Sequence, residues 1–412
     1  MRKILIIETP YIFTQSNNRT VSISEILTEI DNVSVKRVST NFSHQEKRKV
    51  DEKEVPKNLD YEVNIIDTLT YRKNVSFKRI ISQKIYSIKL NRYLNSIEKP
   101  DLIYNFVPSL NVADVVRKYS IKNDIPVIID VRDLWPEAFK LIIKNKFLQK
   151  LFFSNMEKKA DNIYNNASGI IAVSNSYLLR ALKKRDDNVP KDVVYLGTNF
   201  NKFDKYASSV SNNELDIQTM AYVGTLGHSY DLMTTFDALK ILKEKGVELS
   251  FQIYGDGPLL NKYKNYSVGL GLNVSFNGNL KYEDLVTKLT KANFVINPIS
   301  KGAAQSIINK HADYAASGKA VLNTQENEEY KYLVEKYNIG LNVENSNPLD
   351  LANKIEFFIN HPDKVRDMGK NHRILGEERF DRQITYNKIK KMAEGILNQN
   401  EKNINISKRL SE

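Results

Sequence analysis

The chain alternates between short apolar runs and longer amphipathic segments along most of its length. In the first half the runs are KILIIE (3–8), YEVNIID (61–67), DLIYNF (101–106), PVIIDV (126–131), GIIAVS (169–174) and DVVYLG (192–197). In the second half they are MAYVG (220–224), LSFQIYG (249–255), NVSFNG (273–278), NFVINP (293–298), KAVLNT (319–324) and IGLNV (339–343). Most are continuous rather than alternating, as in strands buried on both faces of a parallel sheet. Amphipathic segments such as 232–246 and 281–292 lie between them. Repeated strand, helix and strand predicts βαβ units and an α/β fold with doubly wound parallel sheets.

Six runs fall on each side of a Ser-, Asn- and Asp-rich stretch at 199–218, which reads as a linker region. The expected organisation is an N-terminal Rossmann-like domain over 1–198 and a second over 219–380. A helix over 381–398 is expected to pack back on the first domain, and 399–412 reads as a disordered tail. Ligands bind at the carboxyl ends of such strands, so two facing sheets are expected to hold them in an interdomain cleft.

Composition narrows the class. A length of 412 residues with 41% hydrophobic content fits two packed domains. No run of 18 apolar residues occurs, so no membrane-spanning helix is expected. The start, MRKILIIETP, has too short an apolar run for a signal peptide, and a cytoplasmic location is expected. The absence of cysteine excludes disulfides and thiolate metal sites. A net charge of +12 favours anionic partners or serves general solubility.

Five stretches carry candidate chemistry. In VIIDVRDLWPEAF a buried strand runs straight into Arg132, Asp133, Trp135 and Glu137, at the strand end where this architecture places function. The structural alternative is a salt-bridged loop packed on Trp135. In FQIYGDGPLL, Gly255 and Gly257 follow Tyr254 and allow close backbone approach to a ligand, with Asp256 as an acceptor. A plain turn between strand and helix explains them equally well. In YVGTLGHSYDL, backbone N–H groups from Thr225 to His228, after Gly224, suit a phosphate. His228 could donate to it or be merely exposed.

The fourth stretch, 297–324, gathers small residues and polar groups around a short helix. Gln305 precedes it, Ser306 is its expected N-cap, and Gly318 stops it. Lys310 and Asp313 are three apart, so they share a face, either for a phosphate and sugar hydroxyls or as a surface ion pair. The fifth is a pair of basic amphipathic segments, 71–94 and 139–153. In the second, Lys140, Lys144 and Lys150 interleave with Phe147 and other apolar residues. Such segments suit an anionic membrane surface, or are core-facing helices with a solvated basic side.

Other classes are disfavoured. The histidines at 44, 228, 311, 361 and 372 have no metal-ligand spacing, and no metal site or cofactor is expected. No Walker A, G-x-G-x-x-G or G-x-S-x-G pattern occurs, nor a nucleic-acid module.

In chain order, DVRDLWPE, GIIAVSNSYLLRAL, VVYLGTNFNKFD, YVGTLG…FQIYGDGP and INKHADYAASGKAV resemble glycosyltransferase family 4, retaining enzymes of the two-domain GT-B fold. The likeness spans residues 100–390 and looks closest to bacterial members that build capsule, exopolysaccharide or O-antigen. It implies that Gly224 and its loop face the diphosphate of a nucleotide-sugar, with Tyr254, Gly255 and Asp256 near the base. The two acids of the family's E-x7-E motif correspond to Gln305, beside the donor sugar, and Asp313, on the ribose. Lys310 matches the lysine that the subgroup carries before the second acid. Arg132 stands where many members have histidine, and Thr225 where many have arginine.

The resemblance implies a retaining hexosyl- or N-acetylhexosaminyltransferase that takes its sugar from a donor expected to be UDP-linked. The acceptor is expected to be polyprenyl-diphosphate-linked or a polysaccharide. Asp133, Arg132 and Glu137 would orient the acceptor hydroxyl or take its proton. Peripheral attachment to the inner membrane face and association with partner glycosyltransferases are expected, without nucleic acid. A non-catalytic GT-B subunit and a nucleotide-sugar epimerase are the alternatives.

Overall fold

The structure, a computed structural model, describes residues 1–9, 18–43, 46–72, 77–140, 146–185, 188–208, 218–303 and 307–411. It divides into two compact units, Met1–Tyr195 with Thr385–Glu412, and Leu196–Ile384.

The first unit holds strands β1 (Arg2–Ile7), β2 (Val33–Thr40), β3 (Phe42–Ser43), β4 (Arg48–Lys49), β5 (Glu62–Ile66), β6 (Leu102–Val107), β7 (Val127–Val131), β8 (Gly169–Ala172) and β9 (Lys191–Val193). Seven of them form one sheet in the order β5-β2-β1-β6-β7-β8-β9, every pair parallel. Leu5 and Ile7 of β1 face a cluster with Tyr86, Leu90, Val116 and Ile163 from three helices. Ile4 and Ile6 face the other side, with Ile23, Leu27, Ile389, Ala393 and Ile396. Each such side chain contributes about 1.5–3 kcal/mol by leaving water, which is why the runs lack polar alternation.

Strand β2 and the β3–β4 hairpin escape the apolar-run reading. β2 lies inside the sheet, next to the edge strand β5, yet carries Lys36 and Arg37. Arg37 is buried because its Nε donates to Glu8 Oε1 at 2.7 Å. Lys36 reaches Glu62 on the edge strand at 2.7 Å.

A second buried pair ties the unit together. Arg19 Nε donates to Asp130 Oδ2 at 2.9 Å, and Nη1 donates to the carbonyls of Val194 and Tyr195. Tyr104 gives its hydroxyl proton to the same carboxylate, and the guanidinium lies 5.1 Å from the Tyr386 ring. Arg19 can be buried because each donor direction meets an acceptor or a π face.

The second unit holds β10 (Thr219–Val223), β11 (Ser250–Tyr254), β12 (Val274–Phe276), β13 (Phe294–Asn297), β14 (Ala320–Asn323) and β15 (Gly340–Asn342). They form a parallel sheet in the order β12-β11-β10-β13-β14-β15. All six correspond to apolar runs of the second half, so the expected pair of doubly wound parallel sheets is present.

Part of the stretch read as a linker is a helix, Phe200–Ala207, capped by Asn199 and burying Phe200 and Phe203 within the second unit. Two aromatic residues three apart in a polar segment are too short a pattern to stand out. The helix Asn387–Ser411 continues through the stretch read as a tail.

His372, in the helix Pro362–Arg379, is fully buried with Nδ1 2.7 Å from the Lys319 carbonyl. That contact needs an N–H on Nδ1, and burial pushes the ring's pKa down to about 4. In the unfolded chain the ring takes its proton near pH 6.5, so stability is held above that pH and lost as pH falls toward 4. Urea unfolding should show His372 accounting for about 2 kcal/mol of stability lost between pH 7.5 and 5. His372→Gln should flatten that decline; an unchanged decline would remove His372 as its cause.

Candidate functional site

Gly224 ends β10 with φ +149° and Gly255 ends β11 with φ +145°. The Gly224 amide donates to the Tyr254 carbonyl at 2.9 Å. A Cβ on Gly255 would lie 1.9 Å from the Gly224 carbonyl oxygen, and one on Gly257 would lie 2.4 Å from the Leu226 carbonyl oxygen. Two motifs separated in sequence are thus one backbone assembly. The close approach that Gly255 and Gly257 permit here is of chain to chain, as in the plain turn weighed for them. The Leu226 amide donates to the Asp256 carbonyl at 2.9 Å, which removes it from the expected phosphate donors.

The turn is also joined to the β13 loop. The Asp231 amide donates to the Pro298 carbonyl at 2.8 Å, and Ser300 Oγ donates to the His228 carbonyl at 2.9 Å. Thr225 and His228 are exposed at this rim, and Asp256 is exposed with Oδ1 accepting from the Gly257 amide at 2.6 Å. Tyr254 is buried, which pushes its phenol up to about 12.

The helix Asn309–Ala316 stands above this assembly. Ile308, extended at φ −97° and ψ 165°, is its N-cap, so helical geometry starts too late for Ser306 to cap it. Gln305 and Ser306 lie outside the described residues. Tyr314 pins the helix, its hydroxyl donating to the Ile296 carbonyl at 3.0 Å and accepting from the Val223 amide at 2.9 Å.

Lys310 and Asp313 do not form the surface ion pair. Lys310 is 6% exposed, with Nζ 4.3 Å from the Tyr222 ring centroid and 4.1 Å from that of Tyr230. Nζ has no hydrogen-bond partner among the described residues. It lies against Gly224, where a Cβ would come within 3.0 Å of it. Burial pulls the lysine well below its usual pKa, while the two ring faces favour the cation. Asp313 is half-buried and accepts from the Tyr282 hydroxyl at 2.8 Å. Burial raises its pKa, opposed by hydrogen bonds from Tyr282 and Thr198 and by the charge of Arg382.

A polar ladder borders the helix. Asn297, Asn323 and Asn342 end β13, β14 and β15 as register partners, with amide contacts of 2.9 Å between successive members. His311, buried with its ring centroid 3.7 Å from that of Tyr330 in a tilted pair, reaches Gln325 Oε1 at 3.1 Å. Burial, then the neighbouring Lys310, hold its ring well below the ordinary histidine pKa.

In the first unit, Arg132, Asp133 and Glu137 follow β7 as expected. The Arg132 guanidinium lies 5.2 Å from the Phe106 ring, with Nη1 3.5 Å from Thr20 Oγ1, and burial lowers its pKa. Asp133 accepts from Trp135 Nε1 at 3.2 Å and the Leu134 amide at 2.9 Å. Burial raises its carboxyl despite these bonds. Glu137 is paired with Arg180, which also holds Asp161 at 2.8 Å. Arg79 lies over Trp135 at 5.1 Å, so the salt-bridged loop packed on Trp135 is also realised. Lys144 lies outside the described residues, as do the side chains of Lys140, Phe147 and Lys150.

Tyr222, Tyr230 and Tyr282 were not singled out from the sequence. Tyr222 precedes Gly224 in a run whose glycines drew attention, and no spacing marks Tyr230 or Tyr282. No group of residues suited to a metal ion occurs among the described residues.

Residues 207–374 match the family model for glycosyl transferases group 1. An uncharacterized glycosyltransferase of Methanocaldococcus jannaschii is 25% identical over 297 residues, 71% of this chain and 75% of that one. A crystal structure of Anabaena HepE in complex with UDP aligns with a TM-score of 0.68 at 16% identity, covering 96% of this chain and all (100%) of that one. Sucrose-phosphate synthase from Thermosynechococcus elongatus aligns with a TM-score of 0.76 at 15% identity, covering 97% and 100%. The fold is GT-B, and the second half of the chain is similar to group 1 glycosyl transferases.

Gly255→Ala should destabilise the second unit by roughly 2–4 kcal/mol, from overpacking and a strained left-handed conformation. Thermal denaturation should show a fall of roughly 5–15 °C. A melting temperature unchanged from wild type would mean that the two turns are not locked together.

Proposed function

We propose that the chain is a retaining glycosyltransferase that binds a nucleoside diphosphate-sugar, most simply UDP-linked, at the Gly224–Lys310 assembly. One observation carries this reading: a buried lysine amine with no hydrogen-bond partner among the described residues, framed by Tyr222 and Tyr230 beside a glycine turn. A cation kept out of water and uncompensated is matched by an anion that arrives with a ligand. The UDP named for the Anabaena neighbour is a ligand of this chemistry.

In this reading Lys310 neutralises the diphosphate and stabilises the charge that develops as it leaves. Gly224 and Thr225 bring backbone close to it, and His228 offers a rim donor. Tyr254, Gly255 and Asp256 border the base, and Asp313 accepts from the ribose; the sugar-side role proposed for Gln305 and Ser306 falls outside the described residues. Asp133, with Arg132 and Glu137, is the acceptor-side group, its raised carboxyl suited to take a proton.

The proposed acceptor is a lipid-linked diphosphate or a polysaccharide in surface polysaccharide synthesis, reached from the inner membrane face. The helix Phe77–Leu94 supports this, because Ile80, Ile81 and Ile88 are about half exposed among Lys78, Lys84 and Lys89. No helix among the described residues is long and apolar enough to cross a membrane. A non-catalytic subunit is the competing reading, since Gln305 and Asp313 replace the family's glutamates. Sugar transfer from a nucleotide-sugar by the purified chain excludes it.

Calorimetry should show UDP binding that Lys310→Ala weakens by roughly 10- to 100-fold, the value of a charge-assisted hydrogen bond. Because burial lowers the lysine and a diphosphate restores its charge, binding at pH 8–9 should take up protons. Buffers of different ionisation enthalpy reveal that uptake. Equal affinity of the two proteins would remove Lys310 from the phosphate role.

Sedimentation with vesicles of anionic phospholipid should capture the protein at low salt and release it as salt rises. Absence of binding at low salt would refute membrane attachment.

A further inference from the structure

We propose that Tyr282 is a positioning residue for Asp313, and that Thr198 anchors Tyr282. This rests on the reading above, in which Asp313 accepts from ribose hydroxyls. Tyr282 opens the helix Tyr282–Thr290 and lies 31 residues before Asp313, with its hydroxyl 2.8 Å from Asp313 Oδ1. The same oxygen is 2.9 Å from Thr198 Oγ1.

The direction of this chain follows from the donors available. A phenol has one proton, and an ionised carboxylate can only accept it. Tyr282 therefore donates to Asp313, and Thr198 Oγ1, within reach of both the Tyr282 oxygen and the Asp313 carboxylate, has one proton to give to either. Thr198 is fixed from both sides: its amide donates to the Phe380 carbonyl at 2.9 Å and its carbonyl accepts from the Arg382 amide at 3.0 Å. Arg382 Nε reaches the Leu196 carbonyl at 2.9 Å, and Tyr206 packs edge-on against the Tyr282 ring with centroids 6.2 Å apart. The Tyr282 oxygen is therefore set by backbone on one side and by an aromatic contact on the other. Asp313 Oδ1 is committed to it, which holds the carboxylate in one rotamer.

Tyr282 also opposes protonation of Asp313. Burial raises the carboxyl, while Tyr282, Thr198 and Arg382 lower it. Lys310, His311 and Tyr314 are the other titratable residues on the same helix. Deleting the Tyr282 hydroxyl leaves the burial and removes an opposing bond, so Asp313 takes its proton at a higher pH. An ionised carboxylate accepts from a ribose hydroxyl more strongly than its neutral acid, so affinity falls as pH drops, and falls sooner in the variant.

The test is calorimetry of UDP, 2′-deoxy-UDP and 3′-deoxy-UDP between pH 5.5 and 8, on wild type, Tyr282→Phe, Thr198→Val, Asp313→Asn and the Tyr282→Phe/Asp313→Asn double variant. Wild type should prefer UDP over at least one deoxy analogue by about tenfold, the value of one hydrogen bond to a charged acceptor. Tyr282→Phe should reduce that preference to about threefold or less and shift the fall in UDP affinity to higher pH. Thr198→Val should move both readouts the same way by less, which keeps the test open if Tyr282→Phe does not fold. The double variant should match Asp313→Asn.

A wild-type preference and pH profile in both Tyr282→Phe and Thr198→Val would overturn the proposal while leaving the donor-site reading intact. Undiminished ribose preference in Asp313→Asn, or no UDP binding by wild type, would overturn the reading and the proposal with it.

Discussion

A lysine amine taken out of water without a counter-ion costs several kcal/mol to ionise, and the second unit holds one at Lys310, whose Nζ has no partner among the described residues. Two tyrosine faces recover part of that cost. The remainder must be supported by surroundings that leave Nζ nowhere else to go. Tyr314 fixes the helix to β10 and β13, Tyr222 and Tyr230 close the sides, and Gly224 lets the nitrogen approach the backbone. The resulting geometry has an electrostatic deficit that an anion satisfies, which is how a packed fold acquires affinity for a diphosphate.

The surrounding scaffold tolerates this because it is rigid by other means. The turns after β10 and β11 touch backbone to backbone, with glycine where any Cβ would collide. Asparagines at the ends of β13, β14 and β15 join the next three strands through side-chain amides. In the first unit the same problem is solved differently. Arg19 and Arg37 are buried with carboxylates, and every direction around Arg19 has an acceptor or a ring. The contrast separates structural cations from Lys310: buried guanidinium groups here bring their partners with them, and the buried ammonium does not.

Much of the fold was legible because burial on both faces writes continuous apolar runs, and β10 to β15 all follow that rule. β2 was hidden because Lys36 and Arg37 interrupt its run, and their partners Glu62 and Glu8 are distant in sequence. The site was legible in part. Lys310 and Asp313 could be picked out as polar residues sharing a helix face. Their opposite surroundings could not, because Tyr222 and Tyr230 come from a strand and a loop, and Tyr282 and Thr198 are 84 residues apart. The glycines marked places of close approach, but local sequence does not show that another turn of the chain is what approaches.

The most direct test of the account is a crystal structure of the protein with UDP. It should place a diphosphate oxygen within hydrogen-bond distance of Lys310 Nζ, beside Gly224, with a ribose hydroxyl on Asp313. UDP bound elsewhere, with Lys310 still lacking an anionic partner, would contradict it.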